Sequence, residues 1–338
     1  MGFFNKLKNA ASKAIKEDLL KSMGIDDADD GGMTRDEFEA NKPDELRKDI
    51  RMISGCADRQ TSADVSNVSS FQLPDPAGRA GGACTSTLLK VLYADERVPE
   101  EDLSFTQVLE QMRRHLKEGG CSQIPQLTSM NPIDVEAKFD LVPETATGVR
   151  RAVMIGINYV GDEPGELSGC WNDVLNMKKY IVDVHGFEED NIVVLMDDGD
   201  NTEPTRENII EAYRTVVAQS EEGDAIFLHY SGHGTKLRDD DSDEADGYDE
   251  ALVPRDFQEN GMIRDDDLYE ILVKDLADGV HLVSLMDCCH SGTIMDLPYM
   301  FKGDGEMGEM ILDPDMNLDA FIEQITGKLI EFLQSRFS

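Results

Sequence analysis

The chain has 338 residues, 40% of them apolar, with 69 Asp and Glu against 32 Lys and Arg and a net charge of -37. That is enough chain and apolar content for two domains or one large one with a real core. The acidic excess excludes nucleic acid as a main partner, because phosphate binding needs clustered cations, and it favours hard cations and basic peptides.

In chain order, Phe3, Phe4, Leu7, Ala11, Ala14, Ile15, Leu19 and Met23 recur at helical spacing with lysines between them, which predicts a basic amphipathic helix over 3–23. Such a helix more often packs on its own domain than lies on a membrane surface. The start Met1-Gly2 only half fits the myristoylation pattern, since Lys6 stands where Ser or Thr is required. Asp26 to Gly31 followed by Glu37 nearly matches an EF-hand loop, but Ala28 replaces the third ligand. Residues 1–43 therefore read as an amphipathic helix followed by an acidic linker.

Residues 44–140 read as a small α/β unit. It has a strand at Asp49–Ser54, helices at Ala83–Tyr93 and Phe105–Lys117, and a strand at Gln126–Ser129. Residues 141–149 read as a linker. From Arg150 to about residue 300 the pattern is strand and helix in alternation. Strands are predicted at Ala152–Asn158, Ile192–Met196, Ala225–Tyr230 and His281–Met286, and helices at Trp171–His185, Thr205–Gln219 and Asp267–Lys274. The strands are near-continuous apolar runs, as expected when both faces are covered. The fold class is α/β, a mainly parallel twisted sheet with helices on both faces. Residues 301–338 form a tail with an apolar helical stretch at Phe321–Phe332.

Two strands end in reactive side chains. Ala225–Tyr230 is followed by Ser231-Gly232-His233-Gly234, and His281–Met286 by Asp287-Cys288-Cys289-His290-Ser291-Gly292. The carboxyl ends of parallel strands are where binding and chemistry collect. A histidine and a cysteine on one rim are the parts of a thiol nucleophile with its base. His229, inside the strand, reads as structural. Side chains alternate along a strand, so only one of Cys288 and Cys289 can face the site; spacing alone does not choose. Six cysteines without a CxxC pair exclude a zinc site of the usual spacing. There is no signal peptide and no apolar run of about 18 residues or more, so a reduced, cytoplasmic protein is expected.

The His233 and Cys289 segments, 56 positions apart, resemble those of the metacaspases, which are caspase-like cysteine peptidases. The resemblance extends through Leu167 to Asp173, Gly247 to Glu250 and Asp296-Leu297-Pro298; the animal caspase signature is absent. Ile53 to Asp64 and Cys121 to Ser129 resemble the small-subunit-like metacaspase domain. Here it precedes the large one, an order that resembles the type III metacaspases of some algae. The resemblance implies Cys289 as nucleophile, His233 as base, and an oxyanion held by backbone N–H groups of Gly234 and Cys289. It also implies a monomer.

Asp287 lies two residues before Cys289 and so points the same way in a strand. The resemblance places Asp173, Ser231 and Cys170 beside it. Two carboxylates in one pocket select a cation, so cleavage after Arg or Lys is expected, with basic proteins or peptides as partners. Dense carboxylates at Asp239–Asp249 and Asp265–Asp267 suit calcium, which takes six to eight oxygens. The resemblance maps Asp249, Asp265, Asp266 and Asp296 to the ion, with Glu250 and Asp267 as neighbours. The competing readings are a silent calcium-responsive scaffold and a calcium-independent, Arg-specific paracaspase-like peptidase.

Overall fold

The computed structural model describes residues 48–55, 64–65, 81–92, 103–162, 165–238, 248–289 and 291–314. The expectations for 3–23, 26–37, 239–243 and 321–332 lie outside these residues. Glu45–Leu237 and Asp249–Asp313 form one compact unit. The stretches read from sequence as 44–140 and 150–300 thus share one body.

The sheet grows from its most apolar strands. β7 (Ala225–Ser231) is buried at every position and β11 (His281–Asp287) at all but the first. A fully buried Leu or Phe side chain contributes about 1.5–3 kcal/mol, so these two strands anchor the core. They pair in parallel, and β7 also pairs in parallel with β5 (Arg150–Gly156), which in turn pairs with β6 (Ile192–Met196). On the other side β11 pairs in parallel with β1 (Asp49–Ser54). Beyond β1, the pairings through β4 (Gln126–Ser129), β12 (Tyr299–Lys302) and β13 (Ile311–Leu312) are antiparallel. The eight-stranded order is β13-β12-β4-β1-β11-β7-β5-β6. Strands from the N-terminal segment thus extend the sheet directly beside the strand that leads to Cys289.

The helices are α1 (Ala83–Leu92), α2 (Phe105–Glu118), α3 (Cys170–His185) and α4 (Arg206–Ala218). α1 packs on α2 and α3, while α4 packs on the π-helical turn Tyr269–Lys274. α2 begins with a capping box: Ser104 accepts from the Gln107 N–H, and the Gln107 side chain accepts from the Ser104 N–H. α3 stops at Gly186, whose φ of 63° is the left-handed conformation that ends helices.

Two small sheets lie apart from the main one. β2 (Asp64–Val65) pairs with β3 (Gly81–Gly82). β8 (Gly234–Arg238), β9 (Tyr248–Leu252) and β10 (Ile263–Arg264) form a three-stranded sheet, ordered β10-β9-β8. The short helices α5 (Phe257–Asn260) and α6 (Asp265–Leu268) flank β10. The sequence pattern misses β8 to β10 because these strands are short and polar, so no apolar period marks them. No helix among the described residues is long and apolar enough to cross a membrane.

Candidate active site

The parallel register brings Gly156, Ser231 and Asp287 level at the carboxyl edge of the sheet. Beyond that edge, Gly232 and His233 bridge β7 and β8. A side chain at Gly234 could not exist: its Cβ would lie 2.0 Å from the Cys289 carbonyl oxygen. That contact seats the His233 turn directly on the cysteine backbone. Cys288 is fully buried, whereas Cys289 is half-buried. Both lie just past the end of β11, and packing rather than strand alternation makes Cys289 the less buried of the two.

His233 is held from several sides. Its Nε2 donates to the Gly165 carbonyl at 2.7 Å; a carbonyl can only accept, so the proton sits on Nε2 and Nδ1 is the basic nitrogen of the neutral ring. Its backbone N–H donates to Tyr159 Oη at 3.0 Å, and its carbonyl accepts from Tyr230 Oη at 2.9 Å. The Tyr159 ring lies 4.6 Å from the imidazole, centroid to centroid. Burial pushes both phenols well above the ordinary tyrosine value, so they stay protonated. Tyr159 adopts a φ of 54°, a conformation a bulky residue rarely takes. His229 is fully buried, and burial alone pulls its pKa down to about 3, so it stays neutral. Its Nε2 meets Thr85 Oγ1 at 3.2 Å, which ties the start of α1 to β7.

Beside the cysteine, two carboxylates converge. Asp173, in the first turn of α3, is 1% exposed and Asp287 is 4% exposed. Ser231 Oγ and the Gly82 N–H both donate to Asp173 Oδ2 at 2.7 Å, and the Thr85 N–H donates to Asp287 Oδ2 at 2.7 Å. A Cβ built on Gly82 would lie 2.2 Å from Asp287 Oδ2 and 2.8 Å from Asp173 Oδ2, so a single point touches both groups. Cys170 begins α3 and is 5% exposed, its N–H donating to Asn158 Oδ1.

Asp249, Asp265 and Asp266 each offer a carboxylate oxygen within 4.8 Å of the other two. Asp249 is 2% exposed; one oxygen pairs with Arg264 and Oδ1 has no hydrogen-bond partner. An oxygen-only donor set with a buried, unsatisfied carboxylate oxygen fits a hard cation.

Family models and relatives agree on the family of the chain. The model described as metacaspase, peptidase C14 domain, matches residues 150–298, and that described as caspase domain matches 10–135. Metacaspase III c of Phaeodactylum tricornutum is 64% identical over 284 residues, 84% of each chain. The chain belongs to the metacaspase family. Metacaspase-1 of Sclerotinia sclerotiorum is 46% identical over 48% of this chain and 38% of its own, so the chain spans well under half of that fungal relative. A solved structure from Geobacter sulfurreducens is 32% identical, with 44% of this chain and 53% of that one covered at a TM-score of 0.35.

As a metacaspase, the chain is a cysteine-type endopeptidase with a caspase-like α/β fold. Within it, the structure groups Asp173, Asp287 and Ser231, and separately Asp249, Asp265 and Asp266. Asp296 stands outside the second group. It sits on a turn at a φ of 48°, where its N–H donates to the Thr293 carbonyl, and its charge, after burial, helps raise the Tyr269 phenol. Glu250 is engaged by Lys236 and Thr293, and Asp267 by Arg206. Sequence reasoning missed Gly165, Tyr159, Gly82 and Thr85. Three of these act through backbone atoms, which leave no side-chain signature.

Proposed function

We propose a calcium-dependent endopeptidase that cleaves after Arg or Lys, with Cys289 as nucleophile and His233 as base. The observation that carries the reading is the convergence of Asp173 and Asp287 at one buried point beside the Cys289 turn. Paired carboxylates there favour a cationic side chain and disfavour an acidic one.

His233 Nδ1 takes the Cys289 thiol proton, and the thiolate attacks the scissile carbonyl carbon. The resulting oxyanion accepts from backbone N–H groups of Gly234 and Cys289. Collapse breaks the C–N bond; the leaving amine takes the proton from the imidazolium, and a thioester remains. The imidazole then deprotonates water, which attacks the thioester and releases the carboxylic acid and the thiol. The Gly165 carbonyl, accepting from Nε2, holds the ring in the required tautomer.

Asp249, Asp265 and Asp266 would hold the calcium ion, with the unsatisfied Asp249 oxygen as its most demanding ligand. Bound there, calcium would supply positive charge to offset these carboxylates, which lie on β9 and α6. Type III organisation is part of this reading, supported by a caspase-domain match that precedes the metacaspase match. So are a monomer and a cytoplasmic location, the latter supported by the absence of a disulfide at Cys84, Cys121, Cys170, Cys288 and Cys289 among the described residues.

Fluorogenic peptides ending in Arg, Lys or Asp test the reading with and without calcium. Arg and Lys peptides should be cleaved only with calcium, reversibly blocked by chelator. Cys289→Ala should lose at least about a thousandfold in kcat, as removal of a covalent nucleophile does, and Cys288→Ala should retain activity. Full turnover in excess chelator would remove calcium from the mechanism.

A further inference from the structure

The basic-residue pocket is completed by the N-terminal segment of the chain. We infer that Gly82 and Thr85 are positioning residues for substrate selection, acting through backbone amides that hold Asp173 and Asp287; this rests on the Arg/Lys reading above. Asp173 and Asp287 come from α3 and β11, yet each accepts a 2.7 Å bond from a backbone N–H at the start of α1. The partners are 91 and 202 positions apart in sequence.

A backbone amide orients a carboxylate without neutralising it. An Arg or Lys in its place would cancel the charge that a substrate cation must meet, whereas an N–H dipole keeps the anion and stabilises it. Ser231 Oγ, which also donates to Asp173, acts in the same neutral manner. The start of α1 is itself anchored, because Thr85 Oγ1 reaches the buried, neutral His229 on β7. Gly82 has to lack a side chain, since a Cβ there would lie 2.2 Å from Asp287 Oδ2 and 2.8 Å from Asp173 Oδ2. Those atoms are side-chain ends, so an added methyl moves the carboxylates and leaves the backbone in place.

The test compares kcat/KM for peptides ending in Lys with the same peptides ending in norleucine, which has a neutral side chain of similar length. Gly82→Ala displaces the carboxylates, and Thr85→Pro removes one donor within the first helical turn, where the N–H has no intrahelical partner. Each should lower the Lys-to-norleucine ratio at least about tenfold, the scale of a hydrogen bond to a charged group. The loss should appear in KM for the Lys peptide, with kcat much less affected. Thr85→Val, which keeps the amide and loses the hydroxyl bond to His229, should lower the ratio less than Thr85→Pro does. A wild-type ratio in both Gly82→Ala and Thr85→Pro overturns the inference. A wild-type enzyme with no preference for Lys overturns the Arg/Lys reading itself, and this inference with it.

Discussion

Two acidic clusters in this molecule differ in the partners they are given. Asp173 and Asp287 accept from dipoles, two backbone N–H groups and one hydroxyl. In the other cluster Asp249 receives a full cation, the Arg264 guanidinium. On the proposed reading, dipoles would leave the net charge available to an incoming cationic side chain. A tethered guanidinium lowers the cost of burying Asp249 without metal, and it would have to be displaced by a divalent ion. The contrast would then separate a site preorganised for a ligand from one that changes its counter-ion.

The largest expected effect that would break this contrast is at the pocket. Asp287→Asn should cut kcat/KM for Arg and Lys peptides about a hundredfold or more, the scale for losing one partner of a buried charge pair. Calorimetry on the same variant should show calcium affinity unchanged; a parallel loss of calcium binding would merge the two clusters into one. A smaller effect is expected at Arg264. In a Cys289→Ala background, which removes the proposed nucleophile, Arg264→Gln should tighten calcium binding about tenfold, since the competing cation is gone. Unchanged affinity would mean that Arg264 does not compete for Asp249. Without calcium the same variant should melt at a lower temperature.

The smallest effect is at a third carboxylate, far from both clusters in role. Asp49 bonds His281 Nδ1 at 2.6 Å and Arg51 Nε at 3.0 Å, and His281 Nε2 also meets Thr145 Oγ1. Burial works against ionisation of Asp49, but the His281 hydrogen bond and the Arg51 charge outweigh it and hold the carboxyl below its ordinary value. A depressed folded-state pKa contributes stability above the unfolded value of about 3.9, and that stability is lost as pH falls through the folded value. Asp49→Asn should therefore cost about 1 kcal/mol at neutral pH. Chemical denaturation should show the difference shrinking as pH falls below the unfolded carboxylate value of about 3.9. A constant difference across that range would assign the effect to packing.

The Asp49–His281–Thr145 chain also shows why residue types alone do not make a site. A carboxylate, an imidazole and a hydroxyl lie in line there, at the amino ends of β1 and β11. At the other end of β11, His233 is oriented by the Gly165 carbonyl, its turn lies against the backbone of the half-buried Cys289, and the Asp173 and Asp287 carboxylates converge nearby.

The four long parallel strands of the catalytic half were legible to within about two residues, because burial on both faces writes an unbroken apolar run. The His233 and Cys289 turns were legible as reactive side chains at strand ends, and resemblance alone singled out Cys289. Alternation could say only that one of the adjacent cysteines faces outward; packing put Cys288 inside. β8 and β9 were not legible, because five-residue strands such as Gly234–Arg238 and Tyr248–Leu252 owe their pairing to neighbours rather than to an apolar period.

The sequence by itself determined the α/β class, the reactive rim and the family, since each is written in side chains and their spacing. The tertiary structure alone decided that strands from both halves share one sheet, that Asp249, Asp265 and Asp266 bring their carboxylates together, and that backbone amides of Gly82 and Thr85 reach Asp173 and Asp287. The physical reason is the same in each case. Every residue except proline carries the same backbone N–H and C=O, so only the folded path determines which of them faces a charge.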